Sequence, residues 1–492
     1  MVIYIKILCL NPSFKVHITW GKPQVNQPLG LAYIAGALQA KNEVIFLDAN
    51  AEKFDNLKKM DGYYYSGLST EEIVNKVVQI NPEIICMSIT FTVNSINSLE
   101  ILDKIKKSLP KVTTIVGGAH VTVRPKETLS NENVDIIVIG EGDKTILELL
   151  DCLSNKGNMN DIKGIGFKDG KQLIINEPRD LIRNLDELPF PALDLLPLDN
   201  YFNAYKQGRS QRKAYTYNQK WTSIITSRGC PMNCIFCSVH LTMGKLYRSR
   251  SPENVIAEIE RDYIKFGIKH FNLEDDNMSW SIPRFQKICD MIIEKKFDIT
   301  WAAPNGIRAD RIDEETVKKM KSSGCKRVFV APESGSQRVL TEVIDKRMKL
   351  QDVEKAVELF VKYKINVDLS FVIGLPGETK EEIIQSILFA KKLRRKGAST
   401  VGFNIATPLY GTRLYNIAVE NGYFDVTTDP SKLSPSEALI DTPEWSKKEV
   451  LYLHDVADWY VNFPWFRKII HLLRNPKKIR NYLEFFVTNF KF

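Results

Sequence analysis

Three cysteines fall within eight residues of this chain, at Cys230, Cys234 and Cys237 in RGCPMNCIFCS. Thiolates are the ligands that iron–sulfur clusters take, normally four to a cluster. Here only three are grouped and no fourth cysteine lies nearby, so one iron of a 4Fe–4S cluster stays coordinatively open to a small chelating ligand. The competing readings are a zinc knuckle and three incidental core thiols. A structural zinc site wants four ligands, often as two cysteine pairs, and His240 is the one local candidate for the fourth. The remaining cysteines, Cys9, Cys86, Cys152, Cys289 and Cys325, sit in apolar or helical contexts and read as buried small hydrophobes. Eight unevenly scattered cysteines in 492 residues do not form a disulfide framework, and a reducing cytoplasm fits them.

The surrounding sequence has to hold these thiols at the end of something rigid. A length of 492 residues argues for two or three domains. Hydrophobic and charged contents of 44% and 26% are those of a soluble globular protein. No run of about 18 apolar residues is present, so no spanning helix is expected. The start, MVIYIKILCLNPS, lacks a basic leader region and reads as a first strand rather than a signal peptide. Over 1–155, apolar strands at 4–10, 44–48, 84–89, 113–116 and 135–139 alternate with helical patterns. Fully apolar strands between helices predict a five-stranded, doubly wound parallel sheet, which binds ligands at the carboxyl ends of its strands. Residues 156–195 change character. GIGFKDGKQLIIN predicts a hairpin turning at Asp169-Gly170, and LDELPFPALDLLP an extended, proline-spaced connector. A second alternating region, 196–425, has strands at 222–227, 270–274, 300–303, 327–330, 366–373 and 401–406, each followed by a helix-length segment. Six such units predict an incomplete (β/α)6 barrel with its chemistry at the C-terminal face. Residues 426–492 form a mainly helical, basic and aromatic extension.

The cysteine motif directly follows the first strand of that region, in WTSIITSRGC. In this arrangement the chain resembles radical S-adenosylmethionine (SAM) enzymes with an N-terminal cobalamin-binding domain, over about residues 1–425. The resemblance implies that the open iron takes the amino and carboxylate groups of SAM. It carries Phe236, beside the last cysteine, and FNLEDDN, whose Glu274, Asp275 and Asp276 would contact the methionine end. For any one of these acids a solvated helix cap is the alternative. In APESGSQRVL, Glu333 and Ser334 are the candidates for the ribose hydroxyls. FVIGLPGET resembles the segment passing the adenine, where close backbone approach calls for Gly374 and Gly377. PLYGTRLY completes the set.

In the first domain the resemblance rests on NPS (Asn11, Pro12), PLGLAYIAGAL (Leu29, Gly30), GGAHVT (Gly117, Gly118, His120) and IGEGD (Gly140, Glu141, Gly142). Glycines just past strand ends let a backbone approach a bulky corrin. Alone they would equally suit a nucleotide-binding or response-regulator-like domain. The Asp-x-His-x-x-Gly pattern of cobalamin domains that ligate cobalt through histidine is absent. NPSFKVHITWG stands in its place, with His17 out of context, so cobalamin is expected without a protein histidine on cobalt.

The implied chemistry is cleavage of SAM to a 5′-deoxyadenosyl radical, followed by modification of an unactivated carbon, foremost by methyl transfer from methylcobalamin. Ring-forming or carbon-coupling chemistry of the tetrapyrrole or isoprenoid-lipid type is the alternative. A methylthiotransferase would need a second cluster, which Cys9, Cys86 and Cys152 are not placed to bind. A non-catalytic cobalamin sensor conflicts with the intact cysteine motif. Implied partners are a small-molecule or lipid substrate and a flavodoxin- or ferredoxin-type electron donor. The net charge is +9, and from Pro464 onward seven cations face a single acid, Glu484. WFRKIIHLLR suits either an interfacial helix on anionic lipid or a tail packed on the barrel. No nucleic-acid motif accompanies the charge. The expected location is cytoplasmic, and the basic aromatic tail is the element that would bring the chain to a membrane surface.

Overall fold

The computed structural model describes residues 5–210 and 219–463. It divides into two compact units. One runs to residue 231 and includes 238–274 and 428–433; the other comprises 232–237, 275–427 and the chain from 434.

The first unit opens with β1 (Lys6–Asn11), β2 (Phe14–His17), β3 (Glu43–Asp48), β4 (Leu57–Met60) and β5 (Tyr63–Ser66). It continues through β6 (Ile84–Ser88), β7 (Thr113–Gly117), β8 (Ile136–Val138), β9 (Ile165–Asp169) and β10 (Gln172–Ile175). Five of these pair in parallel in the order β8-β7-β6-β1-β3, the doubly wound sheet expected from the apolar runs. Alternate side chains serve two cores. Leu8, Leu10, Ile85, Met87 and Val116 pack on one face, while Ile7, Cys9, Ile84, Cys86 and Ile115 pack on the other. Both faces are covered, which is why these strands are apolar throughout.

The predicted hairpin is β9 and β10, turning through Gly170 at φ +58°. It does not stand off the sheet but extends it antiparallel from β8 to seven strands. The proline-spaced segment after it lies along the helix Leu29–Leu38: Ala192 donates to the Ala32 carbonyl at 3.0 Å. A Cβ on Gly36 would meet the Phe190 carbonyl at 2.3 Å, so that helix needs glycine to be strapped so closely. A second sheet was not anticipated from sequence. β5 pairs antiparallel with both β2 and β4, carrying Tyr63, Tyr64 and Tyr65 half-buried.

The six strands of the second alternating region all form. The predicted 222–227 strand splits into β11 (Trp221–Ile224) and β12 (Ser227–Arg228). β12 pairs antiparallel with β13 (Arg248–Ser249), and β11 pairs parallel with β14 (His270–Leu273), all in the first unit. In the second unit β15 (Thr300–Ala303), β16 (Cys325–Glu333), β17 (Asn366–Ile373) and β18 (Thr400–Ile405) pair parallel in sequence order. Helices Glu314–Ser322, Leu350–Lys362 and Lys380–Arg395 connect them. This succession is that of an incomplete β/α barrel. The start of the aromatic extension, helix Lys447–Asn462, packs on β18: Asn462 bonds Val401 at both N–H and carbonyl, at 3.1 and 2.6 Å. That contact covers an edge strand, a common remedy for unpaired backbone. The cation-rich stretch from Pro464 lies outside the described residues. Among the described residues no helix is long and apolar enough to cross a membrane.

At the end of β3, Asp48 is buried and uses both carboxylate oxygens. Oδ1 caps the next turn through Asn50 and Ala51 N–H at 3.0 and 3.1 Å and takes Asn11 Nδ2 at 2.9 Å; Oδ2 takes the Tyr201 hydroxyl at 2.6 Å. Asp48→Ala strands all four donors and should cost about 3 kcal/mol or more in chemical denaturation. An undiminished midpoint would show that the cap does not hold this edge.

Candidate active site

The parallel sheet of the first unit opens at its strand ends into a cleft with two lobes. The larger encloses about 320 Å³ and is mostly apolar, lined by Tyr33, Ile34, Met87, Ile115, Val138, Ile146 and Met243 with Arg228 among them. The smaller, about 230 Å³, is rich in carboxamides: Asn11, Gln24, Asn26, Gln27, Asn50 and Asn94. The lobes share Gly30, Leu31, Ser88 and Thr90.

Most of the residues singled out in the first domain meet here. Gly30, Gly117, Gly118, Gly140, Glu141 and Gly142 line the apolar lobe, and Asn11, Pro12, Leu29 and Gly30 line the polar one. Their backbones explain why glycine is present. Gly118 has φ +110°, and a Cβ there would lie 2.7 Å from the Ile89 carbonyl. At Gly30 and Gly140 a Cβ would meet nothing within 4 Å. These positions leave space beside the strand ends, so the cleft fits a bulky, largely apolar ligand.

His120 is not brought into this cleft. It is buried, its Nδ1 is 3.1 Å from the Thr92 hydroxyl, and burial lowers its pKa to about 4, so the ring is neutral. Its place behind the GGAHVT turn follows from that turn, since the Gly117 carbonyl accepts from Ile89 N–H at 2.8 Å and His120 N–H donates to the Ile89 carbonyl at 3.2 Å. His17 instead takes the Thr19 N–H and hydroxyl within its own turn.

Sequence reading missed the charges around Glu141. Arg228 Nη1 lies 2.9 Å from Glu141 Oε1 and 2.8 Å from Asp143 Oδ2, with Nη2 3.1 Å from Asp143 Oδ1. Arg248 Nη1 reaches Glu141 Oε2 at 2.6 Å and the Ile182 carbonyl at 2.9 Å. All four side chains are at most 8% exposed. Partners 85 to 107 residues apart leave no local pattern to find.

The cysteine segment begins where β12 ends. Gly229 takes φ +82°, and any Cβ would come within 2.3 Å of the Leu246 carbonyl; Cys230 N–H donates to the Gly244 carbonyl at 3.3 Å. In the second unit the segment 232–237 is held by two other loops. Ile235 N–H donates to Ile344, Leu414 N–H donates to the Ile235 carbonyl, and Arg413 reaches the Asn233 carbonyl. The last two donors belong to the PLYGTRLY motif. The three cysteines are partly exposed. Cys9, Cys86, Cys289 and Cys325 are buried, and burial raises all four thiols, Cys86 and Cys289 to about 12. The donor chemistry therefore fits a thiolate-bound cluster at 230, 234 and 237.

Of the remaining candidates, Phe236 and Asp276 are partly exposed and Asp275 is buried. Glu274 directly follows β14, accepts from the Ser223 hydroxyl and lines the polar lobe. Glu333 closes β16 at φ +66°, with Oε1 2.8 Å from Lys346 Nζ. Ser334 is fully buried, its Oγ 3.1 Å from Ser386 Oγ and from the Ser336 N–H that it accepts. Gly374 and Gly377 follow β17 with φ +78° and +87°. Gly374 and Leu375 N–H both donate to Glu378 Oε2, at 2.9 and 3.2 Å.

The B12 binding domain model matches residues 23–150, and the radical SAM superfamily model matches 224–390. An uncharacterized methyltransferase of Pyrococcus horikoshii is 34% identical over 418 residues, 85% of this chain and 83% of that protein. Cytidylyl-2-hydroxyethylphosphonate methyltransferase of Streptomyces wedmorensis is 28% identical over 482 residues, 92% and 88% of the two chains. The radical SAM methyltransferase TsrM from Kitasatospora setae, solved with cobalamin and a [4Fe-4S] cluster, superposes with a TM-score of 0.70 at 17% identity, covering 94% of this chain and 90% of its own. The chain belongs to the family of radical SAM enzymes that carry a cobalamin-binding domain. The cofactors of that family are a 4Fe–4S cluster, SAM and cobalamin.

The turn after β17 generates a pH prediction. Burial raises the Glu378 carboxyl from 4.5 to about 8. The unfolded chain releases this proton near 4.5 while the folded protein keeps it, so its contribution to stability declines as pH rises from about 4.5 to 8. Glu378→Gln keeps an acceptor for the two N–H groups and cannot ionise. Its melting temperature relative to wild type should rise between pH 5 and pH 8; a constant difference would mean the carboxyl titrates normally.

Proposed function

We propose that this enzyme methylates an unactivated carbon, with cluster, SAM and cobalamin carried by the one chain. The observation that carries the proposal is the pairing of a three-thiol loop with a glycine-rimmed cleft at parallel strand ends. When bound, the cofactors supply reductive cleavage of SAM, hydrogen abstraction by the 5′-deoxyadenosyl radical and a cobalt-borne methyl group. The protein's part is to bind and orient. Cys230, Cys234 and Cys237 would hold the cluster, whose open iron would take SAM. Glu274, with Asp275 and Asp276, would supply negative charge for the methionine ammonium. Glu333, anchored by Lys346, accepts from a ribose hydroxyl; Ser334, tied to Ser386, supports the turn behind it. Gly377, in the turn that Gly374 packs against Val450, would let the backbone pass close to the adenine. In the first unit, Gly30, Gly117, Gly118, Gly140 and Gly142 admit the corrin, and Asn11 offers it a carboxamide oriented by Asp48.

The substrate we infer is hydrophobic, on the strength of the basic aromatic stretch from Pro464, with a flavodoxin- or ferredoxin-type protein as reductant. The test is anaerobic turnover with cobalamin, SAM labelled in its methyl group and a cell lipid extract, analysed by mass spectrometry. Label is expected in a lipid. 5′-Deoxyadenosine without label transfer would overturn methylation in favour of ring-forming or coupling chemistry, and label only in an added polar metabolite would overturn the lipid assignment. Cys234→Ala should lose cluster iron and all 5′-deoxyadenosine formation; persistence of 5′-deoxyadenosine would sink the radical reading itself.

A further inference from the structure

We propose that Arg228 is a positioning residue that couples occupancy of the apolar lobe to the geometry of Cys230, so that the cluster's electronic state responds to the corrin. The inference rests on the cofactor assignment above and adds to it a connection that neither motif contains.

Arg228 itself lines the apolar lobe, beside Gly140, Glu141, Gly142 and Asp143. It stands two residues before Cys230, with Gly229 between them. One guanidinium bonds both carboxylates of the Gly140–Asp143 loop and lies 5.6 Å from the centre of the Tyr33 ring, another wall of the lobe. Arg248 closes the circuit. It bonds the second oxygen of Glu141, pairs with Arg228 across the β12–β13 ladder, and donates to the Met243 carbonyl at 2.6 Å. The adjacent carbonyl, that of Gly244, accepts from Cys230 N–H. A ligand that shifts the Gly140–Asp143 loop therefore moves the anchor of the first cluster ligand.

Slack is small at each link. Gly229 has no room for a Cβ against Leu246. Two guanidiniums and two carboxylates, all buried, leave none of the four charges uncompensated, and a bidentate arginine fixes direction as well as distance. A lysine in place of Arg228 keeps the charge but not the two-pronged geometry. Arg228 opens the cysteine motif, but none of the four charged residues is a cluster ligand, so the network is separable from cluster ligation.

The experiment uses the full-length, cluster-reconstituted protein, prepared with and without hydroxocobalamin and reduced with dithionite. Bound cobalamin is quantified by absorbance, iron is assayed, and the electron paramagnetic resonance spectrum of the cluster is recorded. In wild type, cobalamin should shift the cluster spectrum. In Arg228→Lys the shift should be lost while iron content is retained. Asp143→Asn, which leaves Glu141 bonded to Arg228, provides the same test at lower risk to folding and should at least halve the shift. Arg250→Lys alters an equally buried arginine, paired with Glu258 and outside this network; it should retain the full shift. An unchanged shift in both Arg228→Lys and Asp143→Asn, no shift in wild type that holds both cofactors, or loss of the shift in Arg250→Lys would each overturn the coupling. Failure of wild type to bind cobalamin or iron would instead overturn the functional reading on which it rests.

Discussion

Buried charges must be satisfied by one another or the fold that buries them does not form. In the first unit this constraint falls on Arg228, Arg248, Glu141 and Asp143. The arginines lie on paired strands flanking the start and return of the cysteine loop; the carboxylates lie on the turn after β8 that rims the apolar lobe. Removing one partner would leave an uncompensated ion in an apolar setting, at a cost of roughly 3–5 kcal/mol. An apolar quartet of similar volume would satisfy the fold without that risk. What such a quartet lacks is direction, because hydrophobic contact is indifferent to rotation and a two-pronged guanidinium is not.

The same economy appears at the strand ends. Parallel strands stop where glycine permits left-handed backbone, at Gly118 and Gly140 in the first unit and at Gly374 and Gly377 in the second. The reasons differ. Gly118 is closed against Ile89 and Gly374 against Val450, so these turns are held shut by packing. Gly140 opens onto space, and a side chain there would occupy the cleft rather than clash with protein. One residue type thus makes two things, a rigid turn and an empty volume beside it.

Carboxylates at the ends of β14, β16 and β17 divide by environment rather than by type. Glu274 lines a solvent-reaching lobe with a hydroxyl donor, and Glu333 is buried against a lysine. Glu378 is buried with only backbone N–H donors on one oxygen, and burial dominates its titration. The first two suit recognition of a polar ligand; the third is a structural brace for the turn that presents Gly374 and Gly377.

Local sequence determined whatever depends on short range. Three cysteines within one loop, the five parallel strands with their alternating cores, the hairpin at Gly170 and all six strands of the second region depend on spacing and on two-residue or helical periodicity. Glycines at strand ends were readable for the same reason, and most of them do rim the cleft. Tertiary structure alone decided the rest. β2 pairs with a strand some fifty residues away; it alternates over only four residues (Phe14, Lys15, Val16, His17) and its partner, Tyr63–Ser66, does not alternate, so the small antiparallel sheet was invisible. His120 and Gly118 share one motif, yet the turn sends the ring into the core and leaves the glycine at the cleft. Nothing near Arg228 or Arg248 in the sequence names Glu141 or Asp143 as a partner; folding brings the four together. Charge pairing over such separations leaves no periodic trace, because the distance that matters is set by the packed sheet and not by the chain.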